Sequence, residues 1–234
     1  MTEQAQGTDA QRERDMPRIA FVTDIPTPYM LAVFEALAER CRLTVLFCSL
    51  SGTRAMPWSS AQMNFPHRFV GGGAIRRGTP DATDFYPSPR LLRALAADPG
   101  DVIISGGFSF PSLYAALYSR MAGKRLLIHS DGTSRSEAGI GRGQRLTRAL
   151  LARMAHGAIG NSRQAVERFV ELGFDPVFEA PHSSDLDPFL EVARSRKHES
   201  PGELRLITAG RLIPRKGVDR LLRAVARARA DGAR

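Results

Sequence analysis

Residues 101–134, DVIISGGFSFPSLYAALYSRMAGKRLLIHSDGTS, decide how this chain folds. Asp101 to Ser105 reads as a short strand, Pro111 to Ala122 as a helix, and Arg125 to Ser130 as a second strand. Two strands joined through a helix run parallel, because parallel neighbours need a crossover connection, and right-handed crossovers lay helices over the sheet. The stretch from Val102 to Ser119 is uncharged but contains Gly106-Gly107, Pro111 and four serines. It therefore reads as strand, turn and helix and not as a membrane span.

The same alternation extends in both directions. Towards the N-terminus, Arg18 to Asp24 is a buried strand, followed by a Pro-rich turn and a helix with Met30, Val33, Phe34 and Leu37 on one stripe. Leu43 to Ser49 is the next strand. Leu50 to Arg90 is irregular and rich in Gly and Pro, with a strand at His67 to Val70 and a helix near Ser88 to Ala97 at its end. Towards the C-terminus come a long helix within Gln144 to Ala155 and a strand at Gly157 to Gly160. A helix capped by Asn161-Ser162 and ended by Gly173 follows, then a short strand at Pro176 to Ala180. This order predicts an α/β protein, a Rossmann-like parallel sheet with helices on both faces. Residues 1–16 are expected to be a flexible tail, 17–187 the sheet domain, 188–202 a linker, and 203–234 the first strand, loop and helix of a truncated second Rossmann-like domain. Ligands of such sheets bind where strands end, which singles out Asp24 to Tyr29, Ser105 to Phe110, His129 to Thr133 and Gly210 to Gly217.

Composition narrows the classes. The chain has 234 residues, 43% of them apolar, enough for a packed core. Met1 to Met16 lack an apolar run, so no secretory signal is expected. Cys41 and Cys48 have neither CxxC nor metal-ligand spacing, so disulfide scaffolds and zinc sites are unsupported and a reducing cytoplasm fits. Of the net charge of +9, the last 41 residues carry +8, with 12 Arg and Lys against four acids. That concentration suits phosphate, nucleic acid or an anionic surface. It also suits a plain solvated helix face, since Arg220, Arg223 and Arg227 fall on one side.

Within that basic region lies LRLITAGRLIPRKGVDRLLRAV, residues 204–225. Leu204 to Thr208 reads as a strand, and Val218, Leu221, Leu222 and Val225 recur at helical spacing. Between them Arg211, Arg215 and Lys216 stand beside the free N–H groups of a helix start, where backbone dipoles and cations favour an anion together. The Walker pattern is absent, which disfavours a P-loop hydrolase, and no Rossmann fingerprint is present. Gly139-Ile140-Gly141-Arg142-Gly143 follows no strand and reads as a loop.

A strand, Gly210-Arg211, Lys216-Gly217 and an amphipathic helix resemble the family 4 glycosyltransferases, two-domain GT-B enzymes that transfer sugar from a nucleotide donor. IPTPYMLAVFEAL, DVIISGGFSFPSLYAAL, KRLLIHSDGTS, AIGNSRQAVERF and APHSSDLDPF resemble successive segments of that family, so the likeness spans about Arg18 to Arg234. It implies that Gly210, Arg211, Lys216 and Gly217 hold the donor diphosphate, with no cofactor and no metal required. It implies a retaining transfer to an acceptor hydroxyl, in cell-envelope, polysaccharide or glycolipid synthesis. It also implies that most donor contacts lie beyond Arg234, so the chain alone is expected to be inactive.

Asp131 and His129 are the catalytic candidates, since the family places an acceptor-side polar group, often His, at the end of this strand; counted from Gly123-Lys124, Asp131 falls nearest that position, and His129 shares its strand face only if the strand continues that far. Either could orient or deprotonate an acceptor hydroxyl. Asp131 could instead cap the Asp131-Gly132-Thr133 turn. Pro28, Tyr29 and Gly107 are candidates for the acceptor cleft, Gly107 either admitting a ligand close to backbone or making a tight turn. His182 to Asp185 read as hinge and turn, and His67, His156 and His198 as ordinary. On the helix after Gly141, Leu146, Leu150, Leu151 and Met154 are expected on one side and Arg142, Arg145, Arg148 and Arg153 on another. That is either a covering helix or a peripheral contact with anionic lipid on the inner membrane face. The alternative to an enzyme is a non-catalytic anion- or nucleic-acid-binding Rossmann-like module with a basic tail.

Overall fold

The computed structural model describes residues 15–49, 63–71, 75–76, 84–85, 87–98, 100–183, 186–195, 206–210, 212 and 216–232. Seven strands form one sheet: β1 (Arg18–Thr23), β2 (Arg42–Phe47), β3 (His67–Phe69), β6 (Val102–Gly106), β7 (Arg125–Ser130), β8 (Ala158–Gly160) and β9 (Val177–Glu179). Their order is β3-β2-β1-β6-β7-β8-β9, and every pairing is parallel. A separate antiparallel pair, β4 (Ile75–Arg76) with β5 (Asp84–Phe85), lies within the irregular stretch. The helices are α1 (Pro28–Ala38), α2 (Arg90–Ala97), α3 (Phe110–Ala122), α4 (Arg142–Met154), α5 (Arg163–Glu171), α6 (Asp187–Ser195) and α7 (Val218–Ala230).

Period-two alternation assigns each strand residue to a face. Ala20 and Val22 of β1, Ile103 of β6, and Leu126 and Ile128 of β7 join Leu91, Leu95, Ala115, Leu151 and Phe169 from α2, α3, α4 and α5 in one core. Phe21, Val45, Phe47 and Ile104 face the other way and close around Phe34 of α1. The strands are continuous apolar runs because both of their faces are covered. Chain progression reverses at β1: β2 and β3 add to one side, β6 to β9 to the other. The β1–β6 gap is thus the topological switch point, where a parallel sheet leaves a crevice at its C-terminal edge.

Three expectations are corrected. The linker predicted over Pro188 to Gly202 contains α6, with Asp187 in its first turn and Arg194 in its last, an arrangement that complements the helix dipole. The chain divides between Asp185 and Leu186, so α6 groups with the second unit. Residues 206–209 lie outside any strand, because a strand is held by a neighbour's ladder and none pairs with them among the described residues. The helix predicted after them is present as α7, where Val218, Leu221 and Val225 are half-buried and Leu222 is 66% exposed.

Candidate functional site at the C-terminal edge of the sheet

The loops leaving β1, β6, β7 and β8 are tied to one another at this edge. Ser109 Oγ donates to Asp24 Oδ1 at 3.4 Å, joining the β6 exit to the β1 exit. Ser112 Oγ donates to the Gly107 carbonyl at 2.7 Å and meets Ser105 Oγ at 2.9 Å. The Gly107 amide donates to the His129 carbonyl at 2.7 Å. Gly107 has φ 76°, and a Cβ placed there would meet nothing within 4 Å. The glycine thus makes the turn, and the space beside its backbone is open.

His129, in the penultimate position of β7, continues the alternation that puts Leu127 towards Phe34. Its ring lies edge-on to Phe21 at 5.7 Å. His182, just beyond β9, stands 6.3 Å from the His129 ring and 5.3 Å from that of Tyr29. Asn161, at the exit of β8, brings Nδ2 to 2.6 Å from His182 Nε2. Among the described residues Asn161 Oδ1 is buried and meets no donor at good hydrogen-bond geometry, although the Asn161 side chain lies near enough to His129 to favour its protonated form; a ligand hydroxyl could satisfy this oxygen.

Burial pushes the His129 pKa below its ordinary value, and the neighbouring His182 adds to that; Asp131 and Asn161 pull the other way without reversing it. The balance favours the neutral ring of His129, the form that can accept a proton. Asp131 falls one residue past the end of β7 and is exposed. It does not cap its turn: the Gly132 amide goes to Ser130 Oγ and the Thr133 amide to Ser136 Oγ. Its influence on His129 is electrostatic.

The loop after Asp131 is held by a buried ion cluster. Glu137 accepts from Arg148 of α4 at 2.6 Å and from Arg168 of α5 at 3.0 Å. The guanidinium carbon of Arg148 sits 4.4 Å from the centre of the Phe108 ring, in the β6 exit loop. A Cβ at Gly132 would lie 2.7 Å from Glu137 Oε1, so the loop closes this tightly only with glycine there. Arg148 is thus spent inside the fold and does not belong to an outer basic face. Leu151 is buried while Leu146 and Leu150 are exposed, which corrects the expected sides of α4.

Of the residues named from sequence, His129, Tyr29 and Gly107 come together at this edge, and Pro28 opens α1 in its first turn behind Thr27. Sequence reasoning missed Asn161, read as part of a helix cap, and His182, read as a hinge. Ser162 alone caps α5, accepting from the Ala165 amide at 3.2 Å. The strand exits of β8 and β9 were the available signal, passed over because those strands are only three residues long. His67 Nδ1 lies 2.9 Å from the Phe65 carbonyl, and His156 Nδ1 accepts the Leu126 amide at 3.2 Å; His198 lies outside the described residues.

In the second unit, Gly217 takes φ 65° as the N-cap of α7. Lys216 precedes it, its aliphatic chain 3.9 Å from where a Gly210 Cβ would stand. Asp219, in the first turn, is engaged by Arg223 at 2.9 Å. Arg211 and Arg215 lie outside the described residues.

No protein-family model and no curated protein matches the chain. Solved structures do. HepE from Anabaena, in complex with UDP and glucose, superposes with a TM-score of 0.54 at 17% identity over 73% of this chain and 46% of its own. UDP-N-acetylglucosamine 2-epimerase from Rickettsia bellii gives 0.52 at 11% identity over 77% and 49%. The chain therefore has the Rossmann-like α/β fold of these proteins, and it spans about half the length of the structures it matches.

Proposed function

We propose that this chain is the acceptor-side domain, with the opening of the donor-side domain, of a nucleotide-sugar-dependent glycosyltransferase of GT-B type. The observation that carries the reading is the position of His129 at the exit of β7, grouped with His182, Asn161 and Tyr29 beside the topological switch point. In this reading the acceptor hydroxyl sits against His129, which orients it or takes its proton. The bond between sugar carbon and phosphate oxygen breaks as the new glycosidic bond forms. Negative charge grows on the departing diphosphate. Gly210, Arg211, Lys216 and Gly217 receive that charge through fixed cations and helix N–H groups, which stabilise the transition state more than the ground state, without a metal. Retention at the sugar carbon and the family 4 assignment rest on the sequence resemblance. UDP as the nucleotide is supported by its presence with HepE.

The test is release of nucleoside diphosphate from UDP- and GDP-hexoses by a form of the protein as long as the structures it matches. His129→Ala should lower turnover by roughly 10²–10⁴-fold while leaving UDP affinity in place. Lys216→Glu and Arg211→Glu should weaken UDP affinity. Unchanged turnover and affinity in all three would end the proposal. The basic last 41 residues favour a second reading, an anion- or nucleic-acid-binding module; DNA binding at physiological salt that ignores UDP would support it.

A further inference from the structure

The outward side of α4 is apolar and basic at once. Leu146 is 70% exposed and Leu150 44%. Arg142, Arg145 and Arg153 are exposed beside them, and none pairs with an acid among the described residues. The neighbouring helix on the same face of the sheet, α3, presents Leu117 at 46% and Met121 at 76% exposure. Neither helix contains Asp or Glu, and the sequence holds no acid from Ala138 to Val166. Arg148, the one arginine of α4 with a carboxylate partner, is turned inward to Glu137.

From this we infer that α4, with the adjoining edge of α3, is a docking surface for an anionic lipid bilayer. Charge complementarity selects the occupant. A second copy of the chain would bring three arginines against three arginines across an isologous contact. On α4 a nucleic acid would meet two leucines and no aromatic ring on which to stack. A bilayer supplies both things this surface asks for: anionic headgroups at the level of the guanidinium groups, and acyl chains below them for Leu146 and Leu150. The arginine stems lie along the apolar layer while their heads stay with the phosphates.

The test is co-sedimentation of the 234-residue chain with phosphatidylcholine vesicles and with vesicles containing about one third phosphatidylserine, at low and physiological salt. Binding should appear on the anionic vesicles, weaken with salt, and be at least tenfold poorer on the neutral ones. R142E/R145E/R153E should lower the partition coefficient by more than about a hundredfold, since each charge removed is worth about fivefold and each reversal more. L146S/L150S should lower it at both salt concentrations. All five positions are exposed, so the variants should melt with the parent; R142E/R153E gives the same reading should the triple variant fold poorly. Equal binding to both vesicles, or none, overturns the inference. So does binding that survives the triple reversal, which would place it in the basic last 41 residues, and so does indifference to the leucine pair.

Discussion

The rings of His129 and His182 stand 6.3 Å apart at 88° to one another, close enough for charge on His182 to disfavour a proton on His129. With burial acting first and His182 second, His129 is held below its ordinary pKa in the folded state. The unfolded chain therefore binds this proton more readily than the native one. The stability that His129 contributes is complete above the unfolded value of about 6.5 and drains away as pH falls below it, towards the lowered native value. Thermal melts taken downwards from about pH 7.5 should show a falling midpoint through this range, and His129→Gln should flatten that slope.

The second expectation concerns Glu137. Burial alone would raise its pKa, but hydrogen bonds and charge from Arg148 and Arg168 outweigh burial and hold it below its ordinary value. Glu137→Ala leaves Arg148, 8% exposed, as a buried unpaired charge, at a cost of about 3–5 kcal/mol. Denaturant unfolding should read this loss. Glu137→Ala combined with Arg148→Met should recover a large part of it, because the uncompensated charge leaves with the arginine. The carboxylate's own contribution is present above its usual titration range and is lost as pH falls through the lowered native value.

Much of the sheet was legible because its strands are unbroken apolar runs that end on glycine or aspartate. Ile19 to Val22 and Val102 to Ile104 each fill both faces of a covered sheet, and a stripe such as Leu91 and Leu95 has no other place to go. What escaped reading was set by pairs distant in sequence. Nothing local marks Glu137 as the partner of Arg148 and Arg168, so Arg148 was grouped with its exposed neighbours. Asn161 stands beside a serine that truly caps α5, and the local cap concealed a contact with His182 twenty-one residues on. The helix α6 is hard to read from sequence because Pro188 to Gly202 is charged and without clear periodicity. The place of His129 near the end of β7 was legible for a different reason: the apolar run Leu126 to Ile128 gives way there to polar residues and then to Gly132.

Cys48 gives a third expectation. It is fully buried, and its thiol is pushed up to about 12, by burial first and the Asp24 charge second, against a hydrogen bond with Ser88. Only the thiolate attacks a disulfide reagent, so at mildly alkaline pH the native thiol should react on the order of a thousandfold slower than the unfolded one. Ellman's reagent with and without denaturant measures this directly. Cys41, also buried and raised by burial, should follow with a smaller ratio. Rapid labelling of both in the native chain would contradict the packing of Cys48 in the core with Leu91 and Leu95 and of Cys41 in the core around Phe34.

Two glycines at the working edge of the sheet should respond differently to the same methyl group. A Cβ on Gly160, the last residue of β8, would stand 2.7 Å from the Val166 amide nitrogen and 3.0 Å from the Ala165 carbonyl carbon. Both are backbone of α5, which can yield only by lifting the whole helix off the strand and with it Phe169 from the core. Gly160→Ala should therefore cost about 2–3 kcal/mol, the range of overpacked interiors. At Gly107 the added methyl meets open space, and the cost is confined to holding an L-residue at φ 76°, about 1 kcal/mol. Gly107→Asn should recover part of that, since asparagine tolerates the left-handed region. Chemical denaturation of the three variants under one condition ranks them. An alanine at 107 that proved the more damaging would mean the β6 exit loop is packed more tightly than its open side indicates.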